Sequence, residues 1–480
     1  MGSMPARDPG VLRRAVIWLL FLGPFFFLSY GFANWVAAQR ESVGVLVFDW
    51  ERGTPLWPWT IIPYWSIDLL YGLSFLLPRT RRGLDCHALR LLTAQVIAVA
   101  CFLLFPLRFS FERPMQEGFF GVLFDLLMGF DKPFNQAPSL HIALLVIIWA
   151  MFARHVQRQP WRWLMHGWMA LIGVSVLTTW QHHFIDVPTG ALAGFACLWL
   201  WPQQGRLPFQ AARLAQDAKR WKVAACYALG ALLCVLPAAA MGGVWLWLSW
   251  PAVSLGLVAL NYAVFGAGGF QKGDDGRLSP ASRWLLAPYL AGAWLNSRWW
   301  TRRHPQADQV CDGVYLGRIP GRDTQFAAIV DLCAELPCNA NHCRSGLASR
   351  KGREAAQGFQ LRSRNCRGCS AALSRRKAAP TTIASALDYQ CFATLDLIAP
   401  DVALLQQAAN AIEHLRAQGP VLVCCALGYS RSASAVAAWL LLSGRSSDAQ
   451  QAEALIRQAR PGIVLRNAHH QALQQLGAQP

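Results

Sequence analysis

The chain has 480 residues, 54% of them hydrophobic, with 22 Trp, 25 Phe and a mean hydropathy of +0.27. That length calls for two or more domains, and the apolar excess excludes a purely soluble enzyme in favour of a polytopic membrane protein. The net charge of +18 lies in loops and one late stretch, not on a face interleaved with aromatics, which excludes a nucleic-acid site and points to topology and lipid headgroups.

Eight apolar stretches are long enough to cross a bilayer, at roughly 15–37, 60–77, 89–107, 138–153, 163–180, 184–201, 223–240 and 243–265. Arg13 and Arg14 precede the first, whose length and aromatic centre, GPFFFLSYGF, favour a retained anchor over a cleaved signal peptide. Lys and Arg in alternate loops set the orientation. Fifteen fall on the side that holds the N-terminus, among them Arg7, Arg79, Arg154 and Lys219, against five on the other, Arg40, Arg52, Arg108, Arg113 and Lys132. Both termini are therefore expected in the cytosol. The 14 cysteines show no secreted-style framework and read as reduced.

Two short motifs sit at the external ends of the fourth and sixth stretches. One is PSLH, Pro138–His141; the other is HHFID, with His182 and Asp186 four apart. On a helix that spacing puts both on one face, where Asp186 accepts a hydrogen bond from the His182 ring and fixes its tautomer. The other ring nitrogen becomes a nucleophile, and His141 on a neighbouring helix protonates a leaving alkoxide. His183 points elsewhere on such a helix.

These motifs resemble the second and third motifs of the type 2 phosphatidic acid phosphatase superfamily. The resemblance implies His182 as a nucleophile forming a phosphohistidine, Asp186 as its orienting partner and His141 as general acid, without a metal. The first motif is incomplete: Arg113-Pro114 is present, but Pro106 stands at the Lys position and Val176 at that of an expected Arg. With few Arg, the pattern looks more like the inositol phosphorylceramide and sphingomyelin synthase branch, which moves a phospho-headgroup between lipids. Arg113 is the remaining phosphate-binding candidate.

After the last stretch, residues 266–283 form a polar, Gly-rich linker. The patch at 284–295 is short, contains Pro288 and is bracketed by Arg283 and Arg298, with Trp284 and Trp294 inside it and Trp299 and Trp300 just after. It reads as a helix lying on the cytosolic membrane surface.

From about Gln309 the composition is that of a soluble α/β domain, with strands expected at 312–318, 327–332 and from 391, and a helix over 402–418. Between Asn341 and Lys377 lie ten Lys or Arg and one acid, Glu354. We read 339–388 as a disordered insert or a stretch of altered reading frame. Of Cys338, Cys343, Cys366 and Cys369 only the last two have ligand spacing, which does not make a zinc site.

The next stretch, VLVCCALGYSRS (421–432), reads as strand, tight loop and helix. Inward N–H groups and the helix N-terminus make the loop an oxyanion cradle. Arg431 grips two phosphate oxygens, the same field lowers the pKa of Cys425 to supply a thiolate, and Ser432 steadies that thiolate. A thiolate enzyme needs a reducing compartment, which agrees with the charge bias. The stretch resembles the signature loop of cysteine-based protein tyrosine phosphatases, and its GYSRS ending the dual-specificity branch. That resemblance covers roughly 309–480 without the insert, including the Ala-Arg-Pro tail segment at 459–461. It implies Cys425 as nucleophile, Arg431 as phosphate clamp, Gly428, Ser430 and Ser432 as substrate-binding loop residues, and Asp396 as general acid. Asp401 is the runner-up acid and better suited to capping the helix that follows. Cys424 stands where that family usually has His.

The expected architecture is an all-α polytopic membrane helix bundle (1–265), a linker with an interfacial helix (266–308) and an α/β cysteine-phosphatase domain (309–480). The expected protein is a bifunctional membrane enzyme needing no cofactor. Its partners are membrane lipids and a phosphorylated protein or phospholipid. The competing reading is a membrane-tethered pseudophosphatase that holds phospholigands, with only the lipid site active; the insert and Cys424 favour it, and intact Cys425, Arg431 and Asp396 oppose it.

Overall fold

The computed structural model describes residues 7–205, 207–321, 326–338 and 388–478. The insert expected at 339–388, with Cys343, Cys366 and Cys369, lies outside the described residues except for Asp388, which opens a strand. Contacts divide the chain into two units, Met1–Gln210 with Leu236–Trp250, and Ala211–Val235 with Pro251–Pro480. The division falls inside the last two apolar stretches rather than after them.

The first unit is helical. Helices α1 (Val11–Ala38), α2 (Ile61–Ser74), α3 (Arg81–Leu104), α5 (Leu140–His155), α6 (Trp161–Thr178) and α7 (Asp186–Leu200) answer the first six apolar stretches. A further apolar helix, α4 (Gly118–Phe130), was not expected; at 13 residues it is too short to stand out as a span. Thr80 and Ser139 cap α3 and α5 by accepting from the N–H groups of Gly83 and Ile142. Glycines let α7 approach α5 closely: a Cβ at Gly190 would lie 2.4 Å from the Ser139 carbonyl oxygen, and one at Gly194 2.8 Å from that of Ala143.

Helices α8 (Ala218–Met241) and α9 (Ser249–Leu260) follow, the latter within a continuous helical run Gly243–Phe270 that widens to a π-turn at Asn261–Phe265. Four of the described helices are long and apolar enough to cross a membrane: α1, α3, α8 and the Gly243–Phe270 run. α5 and α7 are apolar but only 16 and 15 residues long, because each begins at a polar motif.

The second unit is built on a five-stranded sheet in the order β1 (Asp308–Cys311), β2 (Val314–Arg318), β5 (Val421–Cys425), β3 (Ala328–Cys333) and β4 (Asp388–Thr394). β1 runs antiparallel to β2, and the other pairings are parallel. β3 and β5 are buried throughout, as expected for central parallel strands. Helices α12 (Val402–Arg416), α13 (Arg431–Leu442), α14 (Ala449–Ala459) and α15 (Asn467–Gly477) pack on one face around Trp439, Ile412 and Leu473. Ile329, Leu422 and Cys424 form the core of the other face, against which Ala293 packs.

Ala293 belongs to α11 (Ala287–Trp300), which follows the short α10 (Pro280–Leu285). The surface helix expected at 284–295 is thus broken at Leu286, with Pro288 in the first turn of the second piece, and it runs on to Trp300. The stretch expected as a polar linker is folded onto the sheet. The Lys272 ammonium is buried and donates to Asp331 Oδ2 (2.6 Å) and to the carbonyls of Cys333 (2.6 Å) and Leu336 (2.7 Å). Three acceptors meet its three donors, which is what lets a lysine be buried charged.

Candidate active sites

In the second unit the site forms at the carboxyl end of β5, where loops collect in a parallel sheet. Side chains alternate along the strand, so Cys424 and Cys425 face opposite cores. Burial pushes the Cys424 thiol up and keeps it neutral. Cys425 Sγ instead accepts from the Gly428 N–H (3.2 Å) and from Ser432 Oγ (3.2 Å). Gly428 has φ +74°, and a Cβ there would lie 2.3 Å from the Gly317 carbonyl carbon. Only glycine lets the loop pass that close to β2.

Ser430 ends the loop, and Arg431 opens α13. The tail braces the loop. His469 Nδ1 accepts from the Arg466 N–H (3.1 Å), so its Nε2 carries the proton and donates to Ser430 Oγ at 2.9 Å. The Val464 N–H donates to the Tyr429 carbonyl (2.9 Å), and Arg460 lies over the Tyr429 ring while bonding Asp308 Oδ2 (2.6 Å). This gives the Ala-Arg-Pro segment its physical role.

The Arg431 guanidinium is buried. It donates to both oxygens of Glu335 (2.9 and 2.7 Å), to the Thr394 carbonyl (2.8 Å) and, at 3.0 Å, pairs with Asp396 Oδ1. Burial opposes its charge, and Glu335 and Asp396 more than restore it. Burial also works against the Glu335 carboxylate, but Arg431 holds it below the usual range. Asp396 is different. Burial raises its carboxyl, Arg431 opposes without cancelling, and 35% of the side chain reaches solvent. A carboxyl that is raised, accessible and next to the Arg431 guanidinium suits a proton donor. Asp401, by contrast, caps α12 by accepting from the Leu404 N–H at 2.8 Å.

Sequence reasoning missed Glu335. Its one signal is an acid just past the carboxyl end of a buried strand, on the edge where sites assemble. Glu335→Gln leaves Arg431 without its bidentate partner. The expected cost is about 3 kcal/mol of stability, as for other broken buried pairs. The Glu335 pKa is lowered on folding, so its contribution is present above the unfolded value of about 4.3 and lost as pH falls below it. Thermal inactivation of the detergent-solubilised chain should steepen below that pH in the wild type and stay flatter in Glu335→Gln; equal profiles would remove Glu335 from this role.

In the first unit the Ser139 N–H donates to the Asp186 carbonyl (3.1 Å), which joins PSLH to HHFID. His182 Nδ1 lies 3.1 Å from Asp186 Oδ2. The expected helical face is not how they meet: α7 starts at Asp186, and His182 stands in the turn before it. Asp186 Oδ2 also accepts from the His183 N–H (3.0 Å), so its carboxylate closes the turn that carries the ring. His183 points away, to Glu51 Oε2 (3.2 Å) and Ser110 Oγ (3.0 Å). His141 stacks on Tyr64 with ring centroids 4.2 Å apart, and its buried Nε2 has no partner among the described residues. Tyr64 and Tyr30 both donate to Asp131, at 3.3 and 2.6 Å. Arg113 Nε and Nη2 donate to the Thr179 and Trp180 carbonyls (3.1 and 2.8 Å) just ahead of His182. A small cavity lined by Glu51, Phe109, Phe111, Trp180 and His182 adjoins these groups.

Among known proteins, residues 389–479 match the dual specificity phosphatase catalytic domain. No curated protein matches the chain. Solved structures that align include Tk-PTP in its active form, 19% identical over 37% of this chain and 99% of its own (TM-score 0.24). PTPMT1 is 19% identical over 36% and 94% (0.23), and human DUSP28 17% over 36% and 95% (0.25). The carboxy-terminal unit carries a phosphatase domain of the dual-specificity type, the domain of a phosphoric monoester hydrolase.

Proposed function

We propose that the protein is a bifunctional membrane phosphatase. One site, around His182, Asp186 and His141, cleaves or transfers a lipid phosphate on the external face. The other, around Cys425, hydrolyses a phosphoprotein or phospholipid in the cytosol. The observation that carries the second reading is the Cys425 thiol under two donors, beside Arg431 and its partner Asp396. The sequence of events follows from those contacts. Phosphate enters the loop against Arg431 and Ser430, Cys425 attacks phosphorus, and Asp396 protonates the leaving oxygen. Water then hydrolyses the phosphocysteine with Asp396 as base. At the lipid site, a His182 oriented by Asp186 attacks phosphorus and His141 protonates the leaving alkoxide, with Arg113 close by as the candidate phosphate contact. Water or the hydroxyl of a second lipid, giving its proton to His141, then attacks the phosphohistidine and frees His182.

Hydrolysis of aryl phosphate and of lipid phosphate by the purified full-length chain tests the proposal; absence of both refutes it. Asp396→Asn should slow hydrolysis most for alcohols of high pKa and least for activated aryl phosphates, which need no proton. An equal loss across a leaving-group series would move the acid role to another residue. For topology, a reporter active only outside the cytosol and joined after Pro480 should stay silent. An active reporter would overturn the cytosolic placement of Cys425.

A further inference from the structure

Three side chains that precede the matched domain by roughly a hundred residues each grip a different working part of the phosphatase site. Ser297 of α11 donates to the Ala426 carbonyl at 2.5 Å, immediately after Cys425. Tyr262, in the π-turn, donates its hydroxyl to the Asp396 carbonyl at 3.0 Å. Lys272 ties down the carbonyls on both sides of Glu335. We infer that Tyr262, Lys272 and Ser297 are positioning residues of the phosphatase, supplied by the end of the last apolar helical run and the segment that follows it. This rests on the roles proposed above for Cys425, Arg431 and Asp396.

The argument from the loop is one of peptide geometry. In a trans peptide the C=O of one residue and the N–H of the next point in opposite directions. The loop shows this once directly: the Leu427 carbonyl faces out to Arg460 (3.4 Å), and the Gly428 N–H faces in to Cys425 Sγ. Ser297 fixes the preceding peptide in the same way, so the Leu427 N–H is turned toward the oxyanion. Ser297 and Tyr262 are each about 1% exposed, so neither bond is exchanged for water. Tyr262 holds the peptide between Asp396 and Leu397, a non-glycine residue at φ +62°. A peptide in that region keeps its conformation only when its surroundings impose it. Lys272 acts one step back, on the turn that aims Glu335 at Arg431.

The two roles give different kinetic signatures. In the full-length chain in detergent micelles, Ser297→Ala should lower kcat/KM and weaken vanadate inhibition by about 3- to 10-fold, equally for p-nitrophenyl and phenyl phosphate, as for loss of one hydrogen bond. Tyr262→Phe should leave vanadate inhibition and p-nitrophenyl phosphate turnover nearly unchanged, and lower phenyl phosphate turnover by about the same factor. Both substitutions remove a hydroxyl only, and a thermal inactivation curve checks that each variant is folded. If the two variants show the same pattern, or neither departs from wild type, the inference is wrong. Cys425→Ser runs beside them: if it retains turnover, the phosphatase reading fails first; if it is inactive, the Ser297 and Tyr262 patterns judge the positioning roles alone.

Discussion

Cys425→Ser should lower aryl phosphate turnover by roughly four orders of magnitude or more, the scale seen when an enzyme loses its nucleophile. The reason is acid–base chemistry and not shape. A free thiol ionises at about pH 8.5; a serine hydroxyl ionises far above that and offers no anion to attack phosphorus. The rest of the cradle survives the change. The Gly428 N–H and Ser432 Oγ remain in place, and Arg431 keeps both oxygens of Glu335. Phosphate or vanadate binding, measured by titration calorimetry, should therefore stay close to that of the wild type. Loss of binding together with turnover would mean a collapsed loop, and retained turnover would remove Cys425 as nucleophile.

His182→Ala should abolish lipid phosphate chemistry while aryl phosphate hydrolysis through Cys425 continues, since the two residues belong to different units. Asp186→Asn should be milder, about 10²–10⁴-fold down, the range for loss of a tautomer-setting or acid–base partner. The Asn can still accept from the His183 N–H through its amide oxygen, so the turn is kept while the charge that favours a protonated Nδ1 is removed. Release of phosphate from a short-chain phosphatidic acid, and transfer of its headgroup to a second lipid, are the two readouts. A folded His182→Ala variant that works at the wild-type rate by either readout refutes the proposed mechanism.

The strand–loop–helix at 421–442 was readable in advance because its parts are local. An apolar run, a glycine where φ is positive and a helix start within twelve residues need no distant partner. The same holds for Asp401 as a cap, for the strands at 314–318 and 328–333, and for the pairing of His182 with Asp186. In that last case the contact was foreseen and its backbone was not. The expected helix gave way to a turn, because Asp186 accepts from the His183 N–H and starts α7 itself.

Other features depend on residues far apart in the chain. Glu335 and Arg431 are 96 positions apart, and no periodicity links an acid after one strand to an arginine after another. Residues 266–295 read as a polar linker and a surface helix because composition counts one buried lysine as exposed. Composition also cannot see that Lys272 finds three acceptors on the sheet. The sequence by itself determined which side chains have the chemistry proposed here for a nucleophile, a clamp and a proton donor, and which helices are apolar. Tertiary structure alone decided which partners hold them, because hydrogen bonds such as Ser297 to Ala426, Tyr262 to Asp396 and Ser139 to Asp186 form only after packing has brought distant backbone together and excluded the water that would otherwise compete.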